Sequence, residues 1–211
     1  AIPTANHDFQ RPNIGMRNTM DQLKVAMTFF LTMPGVPFIY YGDEIGMKYQ
    51  MNLPTKEGSN ERAGTRTPMQ WTAGPTAGFS TCEPAQLYFP VDTEDGKLTV
   101  EAQEKDPNSL LNFTRELVRL RHAHSALHGN GEWELVCKES QPYPMVYKRT
   151  AGGETVVVAI NPSARKVSAR IPHLGKARPL CMTGEATYKT GGKGDVINLK
   201  AISAAVFKII E

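Results

Sequence analysis

The sequence predicts an α/β segment followed by an all-β segment, and two observations carry that prediction. A stretch with helical period runs into a short apolar run that ends in acidic residues, which is the unit of an α/β fold. After about residue 125 the pattern changes to short strand-like runs punctuated by Gly, Pro and Asn. No helix intervenes there, so that part reads as an antiparallel β-sandwich. The chain has 211 residues, 40% of them hydrophobic, enough for one large core or two small ones.

The helical period starts near Arg17, and Met20, Leu23, Met27 and Phe30 build one apolar face. Pro34-Gly35 stops it. Val36–Tyr41 is apolar without alternation, the pattern of a parallel strand buried on both faces, and Gly42-Asp43-Glu44 closes it with charge. Residues 46–106 are rich in Gly, Pro, Thr and Asn and hold no period; so long an irregular segment is usually functional. Asp106-Pro107 reads as a helix cap followed by Pro at the first helical position. Leu110, Phe113, Leu117 and Leu120 form the stripe of the helix that follows, with Arg115, Arg119 and Arg121 off it. Beyond that, Trp133, Leu135 and Cys137 alternate with more polar residues. Met145–Lys148, Thr155–Ile160, Val167–Ile171, Val196–Leu199 and Ala204–Ile210 are further strands.

Bulk composition narrows the function classes. The net charge is +3 with 21% charged residues and no basic stripe, so neither nucleic acid nor an anionic membrane is an expected partner. The longest apolar run is too short to span a bilayer. Cys82, Cys137 and Cys181 are scattered and odd in number, which reads as free thiols of a reducing, cytoplasmic protein. The chain opens Ala1-Ile2-Pro3 without Met, so the native amino terminus is expected to precede it.

Three segments carry candidate chemistry. Asn6-His7-Asp8 with Arg11 gathers a carboxylate, an imidazole and a guanidinium, although an Asx-turn with a surface His gives the same pattern. Asp43-Glu44 lies just past the apolar strand, where α/β folds collect reactive groups, or merely caps the next turn. Asp8 and Glu44 could form a two-carboxylate glycosidase pair. Arg62-Ala63-Gly64-Thr65-Arg66-Thr67-Pro68-Met69-Gln70-Trp71 combines forked donors with an aromatic face, a mixture that binds sugars; Trp71 equally reads as a loop anchor. His122, His124 and His128 fit no standard zinc spacing, and Gly191-Gly192-Lys193 lacks the phosphate-loop pattern, so no metal or other cofactor is expected. The Asn112-Phe113-Thr114 sequon falls on a predicted helix and is discounted.

Together these segments resemble the carboxyl-terminal part of the α-amylase family of glycoside hydrolases, in its oligo-1,6-glucosidase, α-glucosidase and trehalose synthase branch. Asn6-His7-Asp8 with Arg11 is similar to the end of the family's seventh barrel strand. Gly35–Glu44 is similar to the eighth strand and its turn, and Arg66–Trp71 to a signature of the branch. Asp106–Leu111 and the helix after it resemble the helix that closes the barrel. The resemblance implies the last strands and helices of a truncated (β/α)8 barrel over residues 1–124 and a β-sandwich domain over residues 125–211. It implies retaining hydrolysis or transfer at an α-glucosidic bond of oligosaccharides. The family's nucleophile and proton donor come from its fourth and fifth strands, which this chain lacks. Asp8 then matches the third, transition-state-stabilising carboxylate, His7, Arg11 and Arg66 bind substrate, and Glu44 is structural. Such a fragment is expected to be inactive alone and to self-associate or rearrange through residues 1–50, where apolar surface loses its partners. A fragment of a trehalose synthase-like transglycosylase and a non-catalytic glucan-binding or assembly module are the alternatives.

Overall fold

The computed structural model describes residues 1–15, 19–58, 62–92, 96–137 and 142–210. The chain forms two compact units, Ala1–Leu23 with Pro37–Thr114 and Lys24–Val36 with Arg115–Glu211.

In the first unit, β1 (Ile2–Pro3) and β2 (Pro37–Phe38) pair in parallel, Ile2 opposite Pro37. The parallel pairing expected of the Val36–Tyr41 run is therefore present. Its burial on both faces is not: Val36 is 59% exposed and Phe38 57%. The cause is the lack of neighbours. Among the described residues β2 pairs with one strand, over two residues, so the outer side chains have nothing to pack against.

Helix α1 (Met20–Thr32) begins in the first unit and continues in the second; the expected start near Arg17 lies outside the described residues. Leu23, Met27 and Leu31 are almost fully buried. The helix stops before Pro34, and Gly35 adopts a φ of 88°, which only Gly takes without strain.

The irregular stretch after residue 46 is pinned by buried polar side chains rather than by ladders. Asn13 Nδ2 donates to the Gly46 carbonyl at 2.6 Å, and Gln103 Nε2 donates to the Ile45 carbonyl at 2.7 Å. The stretch also holds a short helix, α2 (Val100–Glu104), capped by the Thr99 hydroxyl. Around them Ile45, Met47, Met69 and Leu111 form a small apolar core. The start of α3 (Leu110–Ala123) differs from expectation. Asp106 instead makes a turn, accepting from the Asn108 amide at 2.8 Å, and Ser109 caps the helix by accepting from the Asn112 amide. Because Asp106 is used by the turn, helix entry moves on to the next short oxygen-bearing side chain.

The second unit is built of antiparallel strands: β3 (Glu132–Leu135), β4 (Met145–Ala151), β5 (Glu154–Asn161), β6 (Val167–Ile171), β7 (Lys176–Thr183), β8 (Ala186–Lys189), β9 (Asp195–Leu199) and β10 (Ser203–Ile210). One sheet runs β3-β4-β5-β10-β7 and the other β6-β9-β8. Val146, Val157 and Phe207 of the first share one core with Ile171, Ile197 and Leu199 of the second. The β4–β5 hairpin turns through Gly152-Gly153, whose φ values of 59° and 77° suit a two-residue turn that demands glycine. Strands β7 and β8 escape the sequence pattern. β7 carries Pro179 and two basic residues, Lys176 and Arg178, and it is tolerated because it lies at a sheet edge, facing a register shift in β10. β3 corrects another expectation: Trp133 and Leu135 stay about 38% and 37% exposed rather than turning inward.

Buried charges brace this unit. Arg121, placed off the apolar stripe by its spacing, is buried and donates to the carbonyls of Leu31, Met33 and Gly35, the orphan acceptors at the end of α1. Arg149, fully buried, donates to the carbonyls of Thr32, His128 and Gly131. Glu154 accepts from His124 at 2.6 Å and Lys208 at 2.7 Å. Burial alone would push its carboxyl up; these donors outweigh it and hold it at about 2. Asp195 is treated likewise by Tyr188, the Leu174 amide and His173, also ending at about 2.

Candidate functional site

The site grows from the loop that follows β1. Asn6 Oδ1 accepts from the amides of Asp8 and Phe9 at 2.7 and 2.9 Å, so the Asx-turn reading of this tripeptide is correct as local geometry. The turn also has a consequence: it presents Asp8 outward, its side chain 40% exposed. Asp8 Oδ1 accepts from Arg62 Nη1 at 2.8 Å and Arg66 Nη2 at 3.1 Å, while Oδ2 lies 3.3 Å from His7 Nε2. Arg66 Nε donates to the His7 carbonyl at 2.9 Å, and the Thr65 hydroxyl to the Asn6 carbonyl at 3.0 Å. The two loops are thus laced together around one carboxylate that water still reaches.

The resemblance carried over Arg66 alone, although the sugar-binding segment read from the sequence begins at Arg62. The signal for Arg62 was its spacing: Arg62 and Arg66 flank the single 3-10 turn Ala63–Thr65, which brings both guanidinium groups to the same carboxylate. Gly64 makes that turn fit, since a Cβ there would stand 2.0 Å from the Gln50 carbonyl oxygen.

Arg11 sits elsewhere. Its side chain is 0% exposed, donating to the Tyr41 carbonyl at 2.6 Å, to Asp43 Oδ1 at 2.9 Å and to the Thr65 carbonyl at 3.1 Å, with the Tyr40 and Tyr41 rings each 4.9 Å away. The substrate contact expected of Arg11 is not available in this geometry, because every direction around its guanidinium is filled by protein. It works instead as a buried brace joining three segments. Its partner Asp43 takes a 2.6 Å bond from the Thr4 hydroxyl. Burial pushes the Asp43 carboxyl up, against the pull of Arg11 and Thr4.

Glu44 is separated from Asp43 in role. It lines a cavity of about 580 Å³ together with Tyr41, Arg66, Trp71, Phe79 and Tyr88. Burial pushes its carboxyl up against the backbone amides of Glu44 and Gly42, and Oε2 has no hydrogen-bond partner among the described residues. Trp71 does not anchor its loop through the ring, which is 49% exposed; the anchoring is done by its backbone, bonded to Ala77 and Glu101. Of the histidines near the end of α3, His124 pairs with Glu154, and His128 Nε2 lies 3.3 Å from the backbone carbonyl of His122. Cys82, Cys137 and Cys181 are free thiols. No helix among the described residues is long and apolar enough to cross a membrane.

A carboxylate held by arginines on loops that follow parallel strands defines a polar strand-end site of the α/β kind. The particular family follows from comparison with known proteins. Residues 1–130 match the model of the alpha-amylase catalytic domain, and the chain belongs to that family. It is 35% identical to a trehalose synthase/amylase of Mycobacterium tuberculosis, over 74% of this chain and 27% of that protein. It is 35% identical to a trehalose synthase of Pimelobacter sp., over 84% and 34%, and 29% identical to an oligo-1,6-glucosidase of Parageobacillus thermoglucosidasius, over 72% and 31%. The chain therefore spans about a quarter to a third of the length of these curated relatives. Among solved structures, the trehalulose synthase MutB from Pseudomonas mesoacidophila MX-45 superposes with a TM-score of 0.80 at 24% identity, over 99% of this chain and 42% of that one. That likeness extends the shared fold across nearly all of this chain.

Proposed function

We propose that this chain is the carboxyl-terminal part of a retaining α-glucoside-active enzyme, comprising the last strands of a (β/α)8 barrel and the β-sandwich domain after it. Asp8 serves as the carboxylate that binds ring hydroxyls of the reacting sugar and stabilises its positively charged transition state. His7 and Arg66 bind beside it, Arg62 joins them, and Arg11 acts through the buried brace. The observation that carries this reading is the exposed Asp8 carboxylate gripped on one oxygen by Arg62 and Arg66 and faced on the other by His7. A nucleophile and a proton donor are still required, and the family resemblance assigns both to strands outside residues 1–211. The expected outcome is no turnover of 4-nitrophenyl α-glucoside by this chain alone. In a polypeptide that also carries those strands, Asp8→Asn lowers kcat/KM by about 100-fold or more. Turnover by the isolated chain that Asp8→Asn abolishes would overturn the first statement, and an unaffected kcat/KM the second.

Transfer rather than hydrolysis is favoured by the higher identity to two trehalose synthases than to the oligo-1,6-glucosidase. Maltose given to the longer polypeptide separates the two, trehalose marking transfer and glucose marking hydrolysis. We further propose that the isolated chain self-associates through the exposed apolar residues beside β1 and β2, with Phe9 69% and Phe38 57% exposed. Light scattering that shows a concentration-dependent mass, reduced by Phe38→Asp, is the expected result.

A further inference from the structure

The sheet β6-β9-β8 has two faces of opposite character. Ala169, Ile171, Ile197 and Leu199 point into the core of the second unit. Strand alternation turns the residues between them outward. Directly opposed residues then form two rows across the three strands, Arg170 with Val196 and Lys189, and Ser168 with Asn198 and Thr187. Neither pairing carries a register shift, so the rows lie straight. The Lys200 amide extends the ladder by donating to the Glu185 carbonyl at 2.9 Å, and the two side chains pair. Exposed Lys166 precedes β6. Lys166, Arg170, Lys189 and Lys200 thus share this face with the carboxylate of Glu185, an excess as large as the net +3 of the whole chain.

A charge on an edge strand keeps that strand from pairing with another chain, and either sign serves: the edge strand β3 carries Glu132 and Glu134. Edge protection accounts for charge at Arg170 and Lys189. It does not account for their common sign on a common face, or for Lys200, which extends the central strand β9. In the sequence these cations are spread from residue 166 to residue 200 and form no stripe; the sheet brings them together.

The uncharged row decides the kind of anion. Asn198 Nδ2 donates to Thr187 Oγ1 at 3.2 Å, and no donor among the described residues reaches Asn198 Oδ1. A partner that covers the row must bring a donor to this acceptor or leave it unpaired. Phosphate oxygens of a lipid or a nucleic acid backbone only accept. Nucleobases bring donors, but neither row holds an aromatic ring for a base to stack on. A polypeptide brings carboxylates and amide N–H groups together. Arg170 and Lys189 stand two strands apart, about 10 Å, with half-buried Val196 between them.

We propose that the outer face of β6-β9-β8 docks an acidic segment of a partner protein, its carboxylates meeting Arg170 and Lys189 and its backbone amides donating to Asn198. The surface is independent of the role given to Asp8.

Proton–nitrogen NMR of the full chain tests this with a short peptide of alternating glutamate and serine, at about 0.15 M salt so that distant charges are screened. The expected result is a set of saturable shifts confined to the amides of β6, β8 and β9. The affinity falls about tenfold or more when Arg170→Glu and Lys189→Glu are combined. Arg170→Gln with Lys189→Gln keeps side chains of similar polarity, weakens binding less, and guards against a folding defect in the charge reversal. Arg119→Glu changes the charge at an exposed position of α3, off this face, and leaves the affinity within about twofold. The proposal is overturned if the peptide gives no saturable shifts, or if Arg119→Glu weakens it as much as the charge reversal on the sheet does. It is also overturned if oligothymidylate or phosphatidylserine vesicles bind the chain as tightly as the peptide does, since the face then selects phosphates rather than a polypeptide.

Discussion

The two units keep their shape by opposite means. The first is held by a few buried polar side chains that each tie several distant segments: Arg11 reaches Tyr41, Asp43 and Thr65, and Gln103 reaches Ile45 and Leu111. The second is held by two ladders and a continuous apolar core, where each side chain contributes a modest share. Irregular backbone can place Asp8, Arg62 and Arg66 at angles no sheet allows, but it concentrates the stabilising interactions in a few residues. Site geometry in this chain thus depends on braces far less numerous than the contacts of the sheets.

The comparison is sharpest at Arg11. Arg11→Leu leaves Asp43 buried without its cation and is expected to cost about 3–5 kcal/mol. Amide exchange should accelerate across residues 37–70 while the amides of β5 and β10 keep their protection. Equal loss in both units would break the contrast drawn here. Next is Leu199→Ala, fully buried between the sheets, with an expected cost of about 3 kcal/mol by denaturant unfolding monitored at Trp133. Its effect should spread over β5, β9 and β10 and leave the exchange of residues 37–70 unaltered.

A smaller effect separates the units by pH. Glu154 titrates at about 2 in the folded chain, below the unfolded carboxyl value of about 4.3. A depressed carboxyl contributes stability above the unfolded value, and this contribution is lost as pH falls through the window from about 4.3 to 2. Asp195, also at about 2, acts in the same direction. Lys208→Met removes one donor to Glu154, so the folded value rises, the window narrows from its lower end, and the second unit loses part of this stabilisation above pH of about 4.3, which moves its acid midpoint to higher pH. An acid midpoint by circular dichroism that does not move in Lys208→Met contradicts this assignment.

The legible parts of the fold were those where one local signal suffices. The period of α1, the stop at Pro34-Gly35, the stripe of α3 and the Gly152-Gly153 turn all depend on neighbours a few residues away, and the structure contains each of them. β7 was hidden because Pro179 and basic residues argue against a strand unless its edge position is known. Spacing places Arg121 off the apolar stripe of α3, because it shows which face a residue occupies but not that the carbonyls ending α1 await a donor there.

At the site, residue types by themselves pointed to sugar chemistry only in the segment that holds Arg66, while the sugar roles of His7 and Asp8 came from the family resemblance, and composition set aside nucleic acid as an expected partner. The tertiary structure alone decided which of the charged groups face water. Asp8 and Arg11 are three residues apart, yet one lies open between two arginines and the other is sealed between Asp43 and two tyrosine rings. Burial depends on what the distant loops at residues 40–45 and 62–66 bring to each side chain, and no spacing within Asn6–Arg11 encodes that. The same holds for Glu44, whose spare oxygen and aromatic surroundings exist only after residues 66–89 fold against it.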